Sequence, residues 1–168
     1  ALSHNPKNIH ALLQQGRSAL DSQDPADAEE FFDKARAQHP EIEEAWDGIG
    51  VAQLDQRQFK RAAKTYAEMG TRFPSSVAAQ EGRSAAAIGL HGMDEAIEHA
   101  NAALRLNPDA AQAYRLLGEA LYAQGKYGEA IRNWERASEL SQSIASTLAP
   151  QLYDLRAFVA KYPAARGT

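Results

Sequence analysis

Four prolines, Pro6, Pro40, Pro74 and Pro108, stand 34 residues apart. An alanine series keeps the same step: Ala28, Ala62, Ala96 and Ala130. So does a small-residue series, Gly16, Gly50, Ser84 and Gly118. Phe32, Tyr66 and Trp134 form a fourth series, with Ala100 in its third slot. A chain with this period must fold as a stack of like units, each too small to bury its apolar face without a neighbour.

Each unit reads as two helices. In the stretch from Ala111 to Leu140, apolar residues recur at Tyr114, Leu117 and Leu121, then at Ala130, Ile131, Trp134 and Ala137. That is helical spacing, interrupted by Gly125 in a short turn. The spacing predicts helices over 111–124 and 127–140. Gly118 and Ala130 are small because helices cross closely only where side chains do not hold them apart. Trp134 and its equivalents are expected to fill the gap to the neighbouring unit. The closing proline stops the second helix before the next unit begins.

On these residues the chain resembles the tetratricopeptide repeat family. The signature is an aromatic and a Leu-Gly pair in the first helix (A), then Ala, an aromatic, Ala and Pro in the second (B). Residues 111–144 show it as Tyr114, Leu117-Gly118, Ala130, Trp134 and Ala137; residues 43–76 show it as Trp46, Ile49-Gly50, Ala62, Tyr66 and Pro74. The resemblance implies an all-α fold, a right-handed superhelix (α–α solenoid) of antiparallel helix pairs. Its units would be 9–42, 43–76, 77–110 and 111–144. The third unit departs most, with Gln80, Arg83 and Ala100 in slots meant for larger apolar residues, so its packing is expected to be loosest. Gln142 replaces the proline in the fourth.

Ala1 and Pro6 fall in the last alanine and proline slots of an earlier repeat. Residues 1–8 are therefore expected to be the tail of a truncated upstream unit, in a fragment of a larger protein. Leu12 and Leu13 would then be partly uncovered and could promote weak self-association. At the other end, residues 145–168 are read as a capping helix and tail. Its helix is expected over 147–161, with Leu148, Leu152, Leu155, Phe158 and Val159 on the apolar stripe and Pro150 in the first turn.

Composition narrows the function. The 18 basic and 22 acidic residues give a net charge of −4, spread evenly along the chain, without a basic footprint for nucleic acid. Cysteine is absent, which excludes disulfides, thiolate catalysis and cysteine–zinc sites. No apolar run approaches the ~20 residues of a membrane helix. Cytoplasm and periplasm suit such a chain equally.

No catalytic, cofactor or metal site is expected. The acidic stretch from Asp21 to Glu30 lacks the alternating carboxylates of a calcium loop; Asp24 or Pro25 instead starts a helix. His91 and His99 flank Glu95, yet His91 belongs to a turn, and both read as surface histidines. His39 reads as a helix-end residue. "GRSA" occurs at Gly16–Ala19 and Gly82–Ala85, two residues short of two periods, and reads as coincidence rather than a register slip.

The resemblance implies a partner-binding concave face lined by the A helices. Its slots are His10, Leu13, Gln14 and Arg17; Glu44, Asp47, Gly48 and Val51; Ala78, Glu81, Gly82 and Ala85; and Gln112, Arg115, Leu116, Glu119 and Tyr122. Gly48 and Gly82 would leave room for a partner side chain beside Glu44, Asp47 and Glu81. Leu13, Gly48 and Ala78 stand where a carboxylate clamp needs polar or basic groups, which disfavours that mode. The expected function is a non-catalytic scaffold for a protein or extended peptide. An appendage of an enzyme and a self-assembly module are the alternatives.

Overall fold

In the computed structural model, residues 6–166 are described, with side chains over 8–164. Of the expected tail over residues 1–8, residues 1–5 lie outside the described residues, and residues 6–8 belong to α1, which Pro6 opens. The chain divides after Pro74 into two compact units. The first holds α1 (Pro6–Asp21), α2 (Pro25–Gln38), α3 (Glu43–Asp55) and α4 (Phe59–Arg72). The second holds α5 (Val77–Gly89), α6 (Met93–Leu106), α7 (Ala111–Ala123), α8 (Tyr127–Leu140), α9 (Gln142–Lys161) and a 3-10 turn, Pro163–Arg166. Within each unit, consecutive helices pack on one another.

The 34-residue step governs the helices themselves. α2, α4, α6 and α8 begin at Pro25, Phe59, Met93 and Tyr127; α3, α5 and α7 begin at Glu43, Val77 and Ala111. Ser84, fully buried, occupies the small slot of α5 and donates its hydroxyl to the Ala96 carbonyl at 2.8 Å. The helix therefore does not slide to place Gly82 there.

The turns repeat as faithfully. Gln23, Arg57, His91 and Gly125 all adopt positive φ, between 58° and 76°. At Arg57 the backbone N–H bonds to the Leu54 carbonyl at 2.9 Å, and the Gln58 N–H to the Gln53 carbonyl at 2.8 Å. The same pair of bonds recurs at the other three turns, a Schellman closure of each A helix. Only Gly125 announces this position by residue type, because L-residues pay a steric cost there. After the first turn, the Asp24 carboxylate accepts the Asp27 N–H at 3.2 Å and Pro25 opens α2, as the sequence predicts.

The core is built from the four periodic series. Ala28, Ala62, Ala96 and Ala130 are wholly buried. The aromatics sit on the glycines of their own helix pair, and Trp134 also shares a core cluster with Leu148 and Leu152 of α9. A Cβ on Gly118 would lie 2.3 Å from Trp134 Cδ1, and one on Gly16 would lie 2.7 Å from Phe32 Cζ. Phe32 also covers Gly48 of the next helix, where a Cβ would come within 2.5 Å of the ring. In the third pair the aromatic is Ala100, and the glycine is replaced by Ser84.

A polar chain ties α2, α3 and α4 together. Thr65 donates to Gln53 Oε1 at 2.8 Å, and Gln53 Nε2 donates to Glu29 Oε1 at 2.9 Å. Gln56 and Arg61 also donate to Glu29, at 2.9 and 2.6 Å. Glu29, in the stretch weighed for calcium, thus serves as a structural acceptor.

Two terminal expectations are corrected. Leu12 and Leu13 are buried in one cluster with Ala28, Phe32 and Ala45 rather than uncovered. α9 starts at Gln142, earlier than residue 147, because Ser141 ends α8 and caps the Ile144 N–H of α9. Pro150 consequently lies inside the helix, not in its first turn. The carbonyl it leaves unbonded, that of Ser146, is on an exposed stretch that water can reach.

Candidate functional site

The A-helix slots fall in both compact units. In the first, Arg17 of α1 donates through Nε to Glu44 of α3 at 2.5 Å. Asp47 accepts the Tyr66 hydroxyl at 3.2 Å. Burial raises the Asp47 pKa; the Tyr66 hydrogen bond lowers it, and Glu43 and Glu44 raise it further. Val51 is half-buried. Two expected slots are corrected: Leu13 is buried in the core, and the space at Gly48 is filled by the Phe32 ring. Packing between successive helices consumes that room before a partner can use it.

In the second unit, Glu81 is half-buried and Gly82 is buried. Leu116 is also buried, packed inward rather than lining a groove. Arg115 donates to Glu119 at 2.9 Å and to Gln112 at 3.0 Å. Tyr122 is 47% exposed. His99, expected at the surface, is buried and shares a hydrogen bond with Gln80 at 3.0 Å. Burial and then Arg83 push its pKa down, against the opposing pull of Glu95 and Glu98. The hydrogen bond to His99 thereby accounts for one of the third repeat's departures, Gln80. His91 is exposed in its turn, as expected.

Arg115, Glu119 and Tyr122 come together on the wall of a cleft of about 630 Å³. α8 supplies Tyr127 and Trp134, and α9 supplies Thr147, Leu148, Gln151, Asp154, Leu155 and Phe158. Tyr122 stacks on Trp134 with ring centroids 5.6 Å apart, and Tyr127 meets Phe158 edge-on at 5.6 Å. The Trp134 indole N–H donates to the Arg115 carbonyl at 3.1 Å, locking the ring beneath α7. The equivalent Tyr66 hydroxyl donates to the Asp47 carbonyl at 3.4 Å.

The α9 contribution escaped the sequence reading, which gave that helix a solvating role. A signal was present: Thr147, Gln151, Asp154 and Phe158 fall at helical spacing on one stripe. Among the described residues, no group of three His, Asp or Glu side chains is placed to hold a metal. No helix among them is long and apolar enough to cross a membrane.

Antiparallel helix pairs in a 34-residue register define the class, and the tetratricopeptide repeat family model matches residues 13–77 and 81–144. The chain belongs to the tetratricopeptide repeat family, an all-α solenoid fold of protein-binding scaffolds. No curated protein sequence matches it. It is similar to a thermophilic repeat protein of Thermus thermophilus, with 22% identity, 86% of this chain and 81% of that chain covered, and a TM-score of 0.79. It also resembles a mutant O-GlcNAc transferase of Thermobaculum terrenum at 18% identity and TM-score 0.72, where 83% of this chain spans 27% of the transferase. A third likeness is to the first repeat domain of Spaghetti (RPAP3) bound to an HSP90 peptide. There the identity is 24%, the coverage 68% and 90%, and the TM-score 0.61.

Proposed function

We propose that the chain is a non-catalytic scaffold that binds an extended segment of a protein partner in the cleft between α7, α8 and α9. The observation that carries this is the cleft itself: about 630 Å³, lined by four aromatic rings together with Arg115, Glu119, Gln151 and Asp154. Such a mixture of apolar area with a few oriented polar groups is what recognition sites share. The peptide held by the RPAP3 repeat domain supports the mode of binding, not the partner. Arg17, Glu44, Asp47 and Val51 in the first unit, and Glu81 in the second, are proposed as further contacts within their own units.

Peptides selected from a display library against the whole chain test the reading. Glu119→Lys and Tyr122→Ala should weaken the selected peptides about tenfold or more, as truncation of central interface residues does. Reversal of the helix-B charges Lys64→Glu and Glu98→Lys should change little. If the helix-B pair abolishes binding and the cleft variants do not, the outer surface is the working face. The likeness to part of a transferase favours a second reading, in which the repeats position another domain. A full-length sequence carrying a catalytic domain would support it.

A further inference from the structure

The composition of the cleft wall says more than that something binds. Its charged side chains are Arg115, Glu119 and Asp154. Arg115 and Glu119 satisfy one another at 2.9 Å. Asp154 is exposed and, among the described residues, makes no hydrogen bond or ion pair. One negative charge on this wall is therefore uncompensated. It stands one helical turn from Phe158, whose ring is 41% exposed, across from the half-exposed ring of Tyr122.

We infer that the cleft recognises an arginine side chain presented by an extended partner segment, with Asp154 as its counter-ion and Tyr122 and Phe158 as its stacking surfaces. The inference rests on the reading of the cleft as a peptide site. An acidic side chain fits poorly, because the one cation on the wall is already engaged by Glu119 and Gln112. An apolar side chain would cover the rings but leave Asp154 facing it and partly desolvated, which is a cost. A guanidinium meets both surfaces at once: its plane stacks on an aromatic face while its edge donates to a carboxylate. Lysine provides the charge without the planar face. The α9 stripe thus sets specificity, while the packing of Trp134 under Tyr122 holds the floor rigid.

Amide NMR titration of the whole chain with three capped pentapeptides, Gly-Ser-X-Ser-Gly with X as Arg, Leu or Glu, tests this. The Arg peptide should bind about fivefold tighter than the Leu peptide, the combined effect of a stacked cation and an exposed ion pair. It should shift the amides of residues 151–158 and the Trp134 indole N–H. Asp154→Asn, an exposed and nearly isosteric change, should remove most of that advantage, weakening the Arg peptide while the Leu peptide binds as tightly as before or slightly tighter. Raising the salt to about 0.5 M should have the same effect as the substitution. Equal binding of Arg and Leu peptides, tighter binding of the Glu peptide, or indifference to Asp154→Asn would overturn the arginine preference while leaving a peptide site. If none of the three moves these signals, the cleft reading falls as well.

Discussion

A Cβ atom on Gly50 would stand 2.3 Å from Cζ of Tyr66, inside the ring's van der Waals surface. The ring cannot retreat, because Tyr66 is almost wholly buried and its hydroxyl is bonded to Asp47. Gly50→Ala should therefore destabilise by about 1–3 kcal/mol through overpacking. That exceeds the gain of about 0.5–1 kcal/mol from replacing a helical glycine. The chain already contains the compensated alternative, Ser84 with Ala100. Grafting it as Gly118→Ser with Trp134→Ala should cost about 1 kcal/mol or more less than the sum of the single changes. Urea unfolding of the four proteins gives the coupling, and additivity would refute it.

Glu29 accepts hydrogen bonds from Gln53, Gln56 and Arg61, and Gln53 is buried. Glu29→Ala leaves those donors without their acceptor, so a loss of about 2 kcal/mol is expected. Surface Glu30→Ala, one residue along, should change stability by less than about 0.5 kcal/mol. Thermal unfolding followed by circular dichroism compares the two. Equal effects would mean the network contributes nothing.

The positive-φ turn positions can be improved or damaged independently of the core. Arg57→Gly and Gln23→Gly should each stabilise by about 0.5–1 kcal/mol, relieving left-handed strain beyond the added unfolded-state entropy. Gly125→Ala should destabilise by about 1 kcal/mol for the same reason, since no neighbouring atom lies within 4 Å to clash. Melting temperatures that move in the opposite directions would contradict the assignment of strain.

Asp47 gives the fold a pH dependence of defined sign. Burial raises its pKa in the folded state above the ordinary value of 3.8. The folded chain therefore holds this proton more tightly than the unfolded chain. The contribution is complete below the unfolded pKa and is lost as pH rises through the folded one. Asp47→Asn keeps an acceptor for Tyr66 and removes the charge. It should be more stable than the parent at neutral pH, with the difference shrinking on acidification toward 3.8. A variant less stable than the parent at neutral pH would show that the carboxylate is favourably placed.

The repeat, the helix pairs and the slots for small and large residues were legible in the sequence because they depend on local periodicity. Helical spacing recurs in every copy and a closing proline in the first three, and the starts of α2 to α8 follow that register. The closing turns were legible only at Gly125, since Gln23, Arg57 and His91 reach the same φ through backbone hydrogen bonding that residue type does not announce. Slot assignment placed Arg115, Glu119 and Tyr122 on one wall. It could not show that Phe32 would fill the space at Gly48, that Leu13 and Leu116 would turn inward, or that Asp47 would bond to Tyr66.

The remainder was decided in tertiary packing. Whether a small residue leaves a vacancy depends on which ring lies across from it, and that ring belongs to a helix many positions away. The same holds for α9. Its spacing predicted a helix, but its junction at Ser141 and its packing on α7 and α8 turned a polar stripe into the wall of a cleft. Periodicity specifies which residues share a face of one helix; only the packed neighbours determine whether that face meets core, solvent or an open cleft.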